Sequence, residues 1–118
     1  MEGSVSNVEI CNFAYTGQFD KLKQSILSDK SLACKTDQAS WTPLHIAASA
    51  GREDIVRSLI SKGAQLNSVN QNGCTPLHYA ASKDRYEIAL MLLENGADPN
   101  VTDKLESTPL HRASAKGN

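Results

Sequence analysis

The sequence predicts an all-α solenoid in which helix-turn-helix units stack and are joined by short β-hairpin connections. Three observations carry that expectation. The string TPLHxA begins at Thr42, Thr75 and Thr108, 33 residues apart each time. Companion markers keep the same step: Gly63-Ala64 recurs as Gly96-Ala97, Asn67 recurs as Asn100, and Asp37, Asn70 and Asp103 share one phase. A fixed period of this length is the signature of a repeat architecture. Aromatic residues make up only 5% of the 118-residue chain while 40% is hydrophobic, so the core has to be built from Leu, Ile, Val and Ala.

The elements follow in order. The first segment, 5–36, has no TPLH. Phe13, Ala14, Leu22, Ile26 and Leu27 supply two short apolar stripes, and Ser6, Asn7 and Thr16 are polar decoration. This is the pattern of an atypical N-terminal capping unit, buried on one face and wet on the other. Repeats follow at 37–69 and 70–102, and a truncated repeat at 103–118. Within a repeat, Thr75 can cap a helix with its hydroxyl. Pro76 suits the first turn, where a missing N–H costs nothing. Leu77, Ala80 and Ala81 fall on one face. A second helix runs from about Glu87 to Glu94, with Ile88, Ala89, Leu92 and Leu93 as its buried stripe. Asn95-Gly96 ends it, and Asn72-Gly73 reads as a tight hairpin. Asp84 falls where Gly51 and Gly117 stand in the neighbouring units. Asp tolerates left-handed backbone better than most residues, so the cost is a small one in stability.

In the last unit Thr108-Pro109 opens a helix and Gly117-Asn118 closes it. Leu110 and Ala113 have one neighbouring unit instead of two, and Leu105 to Asn118 is expected to fray. A chain cut within a unit fits a fragment, an engineered segment or a short isoform.

Helix, turn, helix and projecting hairpin, with TPLHxA at this period, resembles the ankyrin-repeat family. The resemblance is strong over Asp37 to Asn118 and weak over Val5 to Lys35. Within the family, the string VNQNGCTPLHYAASK from Val69 to Lys83 is similar to the assembly chaperones of the proteasome's regulatory particle. So are the opening around Val5, Cys11, Ala14-Tyr15 and Asp29 to Ala33, and the closing His111-Arg112 and Ala115 to Asn118. Two departures stand out. There are fewer units than those chaperones carry. In addition, the string DQASW from Asp37 to Trp41 leads directly into a unit resembling their third, so their usual second unit is absent. A whole-unit deletion is tolerable because each unit presents similar faces to its neighbours.

The resemblance implies a protein-binding scaffold with no cofactor and no catalytic residue. It would hold the C-terminal domain of a proteasomal ATPase subunit on its concave face during assembly. The alternatives are a regulatory binder of a cyclin-dependent kinase, or a weak or inactive short form. The family members' LxCxE motif, which binds the retinoblastoma protein, is not carried over: LACKT from Leu32 to Thr36 has Thr where Glu is needed. Ankyrin proteins bind with hairpin tips and the exposed face of each first helix. Here those positions are Gln38, Ala39, Trp41 and Ser49, then Gln71, Asn72, Ser82 and Lys83, then Lys104, Leu105, Ser107 and Lys116. Trp41 has two readings, a binding hot spot or a side chain packed on a neighbouring hairpin.

Composition limits the remaining possibilities. Net charge is −1, so no bulk electrostatic attraction draws the chain to nucleic acid or an anionic membrane. No apolar run approaches the roughly 20 residues of a membrane span. The start has neither the basic nor the apolar region of a signal peptide. Cysteines stand at 11, 34 and 74 with no CxxC, which fits a reduced cytoplasmic or nuclear setting. Asn100-Val-Thr102 is then a chance sequon. A monomer is expected.

His45, His78 and His111 do not read as a metal site. Equivalent residues of stacked units lie roughly 10 Å apart, whereas zinc ligands all sit about 2 Å from one ion. Each imidazole is expected to fix its own turn by hydrogen bonding. No GxSxG, phosphate loop or HExxH is present, and a stack of similar surfaces builds no unique catalytic constellation. No activity as an enzyme is expected. Cys74 reads as a passive thiol at a variable hairpin position, and Cys11 as core.

Overall fold

The computed structural model describes residues 7–115, with side chains described from Glu9 to Ala113. Gly117-Asn118, Lys116 and Val5 to Ser6 of the readings above lie outside the described residues, as does the side chain of Asn7. Among the described residues the helices are α1 (Asn7–Thr16), α2 (Phe19–Ser28), α3 (Pro43–Ala50), α4 (Glu53–Ser61), α5 (Pro76–Ser82), α6 (Tyr86–Glu94) and α7 (Pro109–Ala115), with a 3-10 turn at Lys30–Cys34. Inner helices α1, α3, α5 and α7 pack in sequence as one layer. Outer helices α2, α4 and α6 form a second layer behind them. The result is an elongated solenoid of 45 × 25 × 22 Å, as expected.

Each TPLH opens its helix by the same chemistry. The Thr42 hydroxyl accepts the His45 N–H at 3.2 Å, and the His45 Nδ1 accepts the Thr42 N–H at 3.1 Å. Thr75 and His78 repeat the pair at 3.4 and 3.0 Å, and Thr108 and His111 at 3.3 and 3.2 Å. This is a capping box with the imidazole in the role usually filled by Glu or Gln. Pro43 and Pro76 fill the first helical position, where no N–H is needed.

Leu44 and Leu77 point into the core beside Ala47, Ala48 and Ala80, small residues that let α3 and α5 approach closely. The helix pairs turn at left-handed positions: Gly51 at φ 80° and Asp84 at φ 62°. Asp84 therefore adopts the conformation that glycine would hold without steric cost.

Three expectations about burial are corrected. Leu93 is 43% exposed, so the α6 stripe is Ile88 and Leu92, with Ala89 half-buried. Leu27 is 61% exposed, and Ser25, whose hydroxyl donates to the Lys21 carbonyl at 2.8 Å, occupies the buried position on α2. Cys74, read as a variable hairpin position, is wholly buried between two units.

The connections that precede α3, α5 and α7 are tight turns; none of the described residues forms a β-strand. Each is closed across five residues by a backbone bond, from the Asp37 N–H to the Trp41 carbonyl, the Asn70 N–H to the Cys74 carbonyl and the Asp103 N–H to the Ser107 carbonyl, and across four by the Ser40, Gly73 and Glu106 N–H groups to the Asp37, Asn70 and Asp103 carbonyls. The first side chain of each turn accepts two further N–H groups. Asp37 Oδ1 takes those of Ala39 and Trp41, Asn70 Oδ1 those of Asn72 and Cys74, and Asp103 Oδ1 those of Leu105 and Ser107, all between 2.9 and 3.1 Å. A short polar side chain bonding its own loop favours such turns over a longer ladder.

Candidate protein-binding surface

The turns stack through their tips. The Gln71 N–H donates to the Ala39 carbonyl at 3.0 Å, and the Lys104 N–H donates to the Asn72 carbonyl at 2.9 Å. The Gln71 side chain adds a bond to the Gln38 carbonyl at 3.2 Å. Backbone groups at the tips are thus committed to the stack, and the side chains of Gln38, Asn72, Lys104 and Leu105 project from it, Leu105 with 80% of its surface exposed.

A second series ties successive units together. His45 Nδ1 already accepts the Thr42 N–H, so Nε2 carries the proton and donates to the Cys74 carbonyl at 2.7 Å. His78 does the same to the Ser107 carbonyl at 2.9 Å. The imidazoles therefore fix their own turn, as expected, and also bridge to the next unit. Both nitrogens are occupied, and burial pushes both rings below the ordinary imidazole value, offset in part by their carbonyl partners. Among the described residues no cluster of His, Cys, Asp or Glu could hold a metal ion. Ser107, proposed from sequence as a contact residue, is half-buried with its carbonyl used in this series.

A third series runs along the turns between paired helices. Arg52 Nε and Nη2 donate to the Tyr15 carbonyl at the end of α1, at 3.1 and 3.0 Å. Arg85 Nε donates to the Ser49 carbonyl at the end of α3, at 3.2 Å. Cations belong at helix C-termini, where carbonyls lack intrahelical partners.

These series frame a concave groove of about 410 Å³ on the exposed side of the inner helices. Tyr15, Trp41, Ile46, Ser49, Lys83 and the two arginines line it, and no carboxylate does. The Trp41 ring stacks on Tyr79 of the following unit, centroids 4.3 Å apart and planes 27° from parallel. Tyr79 is held in turn by Asn70 Nδ2, which donates to its hydroxyl at 2.9 Å. Trp41 thus packs on an inner helix, not a hairpin, and its half-buried ring still lines the groove. The groove gathers Trp41, Ser49 and Lys83 from the sequence-predicted set. Gln38, Ala39, Gln71, Asn72, Lys104 and Leu105 lie on the ridge of turns, Ser82 is half-buried on α5, and Lys116 lies outside the described residues.

Sequence reasoning passed over Tyr15, Ile46, Tyr79, Arg52 and Arg85. A signal was present for most of them. Ile46, Tyr79 and Arg112 are the variable letter of TPLHxA, and Arg52 and Arg85 keep the 33-residue step. Arg112 Nε donates to Asp103 Oδ2 at 2.7 Å. Burial opposes the Asp103 charge, but the Ser107 N–H, Arg112 and the Leu105 N–H together hold its carboxyl below the usual range. Cys74 Sγ lies 3.9 Å from the same carboxylate oxygen, and burial pushes this thiol up.

A family model described as ankyrin repeats (3 copies) matches residues 10–103. The 26S proteasome non-ATPase regulatory subunit 10 of Rattus norvegicus, known as gankyrin, is 57% identical over 67 residues, which is 57% of this chain and 29% of that one. Its Homo sapiens counterpart is 55% identical over 67 residues, covering 57% of this chain and 30% of its own. Protein phosphatase 1 regulatory subunit 27 of Homo sapiens is 68% identical over 28 residues, 24% of this chain and 18% of that one. The match thus spans about three tenths of the proteasome relatives' length.

Proposed function

The chain belongs to the ankyrin-repeat family, and from that premise we propose that it acts by binding, without catalysis or cofactor. Its partner in this reading is the C-terminal domain of a proteasomal ATPase subunit, held on the concave face during assembly of the regulatory particle. The likeness to proteasome non-ATPase regulatory subunit 10 supports the proteasome setting. It acts in the cytoplasm and nucleus as a monomer, through contacts spread over the groove and the ridge of turns.

The observation that carries the reading is the lining of the groove. Trp41 is pre-stacked on Tyr79 and loses little rotamer freedom when it is covered. Arg52, Lys83 and Arg85 surround it without an acid in the lining. Cations around an immobilised aromatic suit an acidic partner segment, and Trp and Arg are the residue types most enriched at hot spots.

The test is a backbone amide NMR titration of the chain with the isolated ATPase domain. Shifts concentrated at Trp41, Ser49, Asn72, Ser82 and Lys83 are expected. A folded spectrum that does not move on addition of the domain would refute the reading and leave a kinase-directed binder or an inactive short form.

A further inference from the structure

The convex side carries a second charged groove, of about 360 Å³, between α2 and α4. Phe19 forms its floor, packed against the core. Lys23 stands over that ring with Nζ 5.7 Å from the centroid. Arg57 and Lys62 rise from the α4 side, with Ser58 and Ser61 between them. Asp54 is the one acid in the lining, and its Oδ1 already accepts the Ile55 N–H at 2.8 Å. None of the three cations has a carboxylate within ion-pair distance among the described residues, whereas Arg112 has Asp103 at 2.7 Å.

The repeat itself shows that the fold does not require these charges. One 33-residue step along, Arg57 becomes Leu90, Ser61 becomes Glu94 and Lys62 becomes Asn95, and α6 packs on α4 as α4 packs on α2. Arg57 and Lys62 are therefore particular to this gap. They concentrate positive charge on a chain whose net charge is −1. They also lie on the outer layer, whereas the concave groove lies on the inner one.

We propose that the α2–α4 groove docks an acidic segment of a protein partner, with carboxylates on Lys23, Arg57 and Lys62 and an apolar side chain against Phe19. A cation already poised over an aromatic ring offers a carboxylate and an apolar group adjoining positions. This surface is independent of the concave groove, so one partner can be held while the other face is occupied.

The experiment uses a short fluorescein-labelled oligoglutamate peptide, read by anisotropy at low salt, with the unaltered chain and two charge-reversed variants. Saturable binding is expected. Lys23→Glu combined with Arg57→Glu should weaken it roughly tenfold, on the scale of two exposed charge pairs. Lys30→Glu, an exposed charge on the 3-10 turn outside both grooves, should leave it within about twofold. Loss in the Lys30 variant alone, equal loss in both variants, binding whose amide shifts fall only on the concave groove, or no saturable binding would each overturn the proposal. Circular dichroism confirms that the variants are folded. If reversal unfolds the chain, amide shifts at Lys23, Arg57, Ser58 and Ser61 of the unaltered chain decide the matter, and their absence overturns it.

Discussion

Replacing His45 by Leu tests the bond that joins one unit to the next. Leucine keeps an apolar side chain of comparable bulk and deletes both ring nitrogens. The Thr42 N–H then loses its acceptor, and the Cys74 carbonyl keeps only the Asn70 N–H at 3.1 Å. Both sites are buried, so water cannot replace what is lost. An orphaned buried N–H costs about 1–3 kcal/mol and the lost bridge about 1 kcal/mol more, roughly 2–4 kcal/mol together. The matching variant His111→Leu removes the same capping contact at an exposed site, where the ring makes no bridge to another unit among the described residues. Water can satisfy the freed Thr108 N–H there, and about 0.5–1 kcal/mol is expected. Urea unfolding followed by circular dichroism separates the two cases. The His45 variant should lower the midpoint by about 1–2 M at an m-value ordinary for a chain of this size. Equal midpoints for the two variants would refute the argument that the imidazole's second nitrogen holds neighbouring units together.

Further outcomes follow from the same geometry. His45 and His78 titrate below the ordinary imidazole value in the folded chain. Their contribution is therefore complete above about pH 6.5 and is lost as pH falls below that value, because the unfolded chain takes up protons first. Thermal midpoints measured from pH 7.5 down to 5 should fall, and a flat profile would contradict the buried neutral rings. Asp84→Gly relieves a left-handed Asp at φ 62° and should stabilise by about 1 kcal/mol, read as a rise in Tm. With a chromogenic disulfide, Cys34, which is exposed, should react before Cys11 and Cys74, which are buried; burial raises Cys74 and lifts Cys11 to about 11. Simultaneous reaction of all three thiols would show that the packing around Cys74 is open.

Most of the fold was legible because the repeat states each local rule more than once. Thr, Pro and His at fixed positions specify cap, first turn and ring together, and their recurrence excludes coincidence. The burial of Leu27 and Leu93 was misjudged because a helical stripe fixes one face only, and the outer helices are wetted over much of their circumference. Cys74, read as a variable hairpin position, is instead carried by a five-residue turn that brings its side chain between two units. The site was legible in part. Trp41 stood out by type, but its Tyr79 partner lies 38 positions away in sequence, and nothing local signals a stack formed by tertiary packing. Arg52 and Arg85 escaped notice because a basic residue at a turn is unremarkable until the carbonyl it faces is known.

The bridges between His45 and Cys74 and between His78 and Ser107 both span 29 positions, and the donors themselves stand 33 positions apart. A gain or loss of 33 residues leaves every ring opposite a carbonyl of the same kind. A change of any other length inside the 29 positions of a bridge strains that bridge, while bridges lying wholly to either side keep their spacing. The molecule's length is therefore editable in discrete steps. Splicing or recombination that removes one period yields a shorter protein with its joints intact, while a change of a few residues between the paired helices behaves as a mistimed gear tooth.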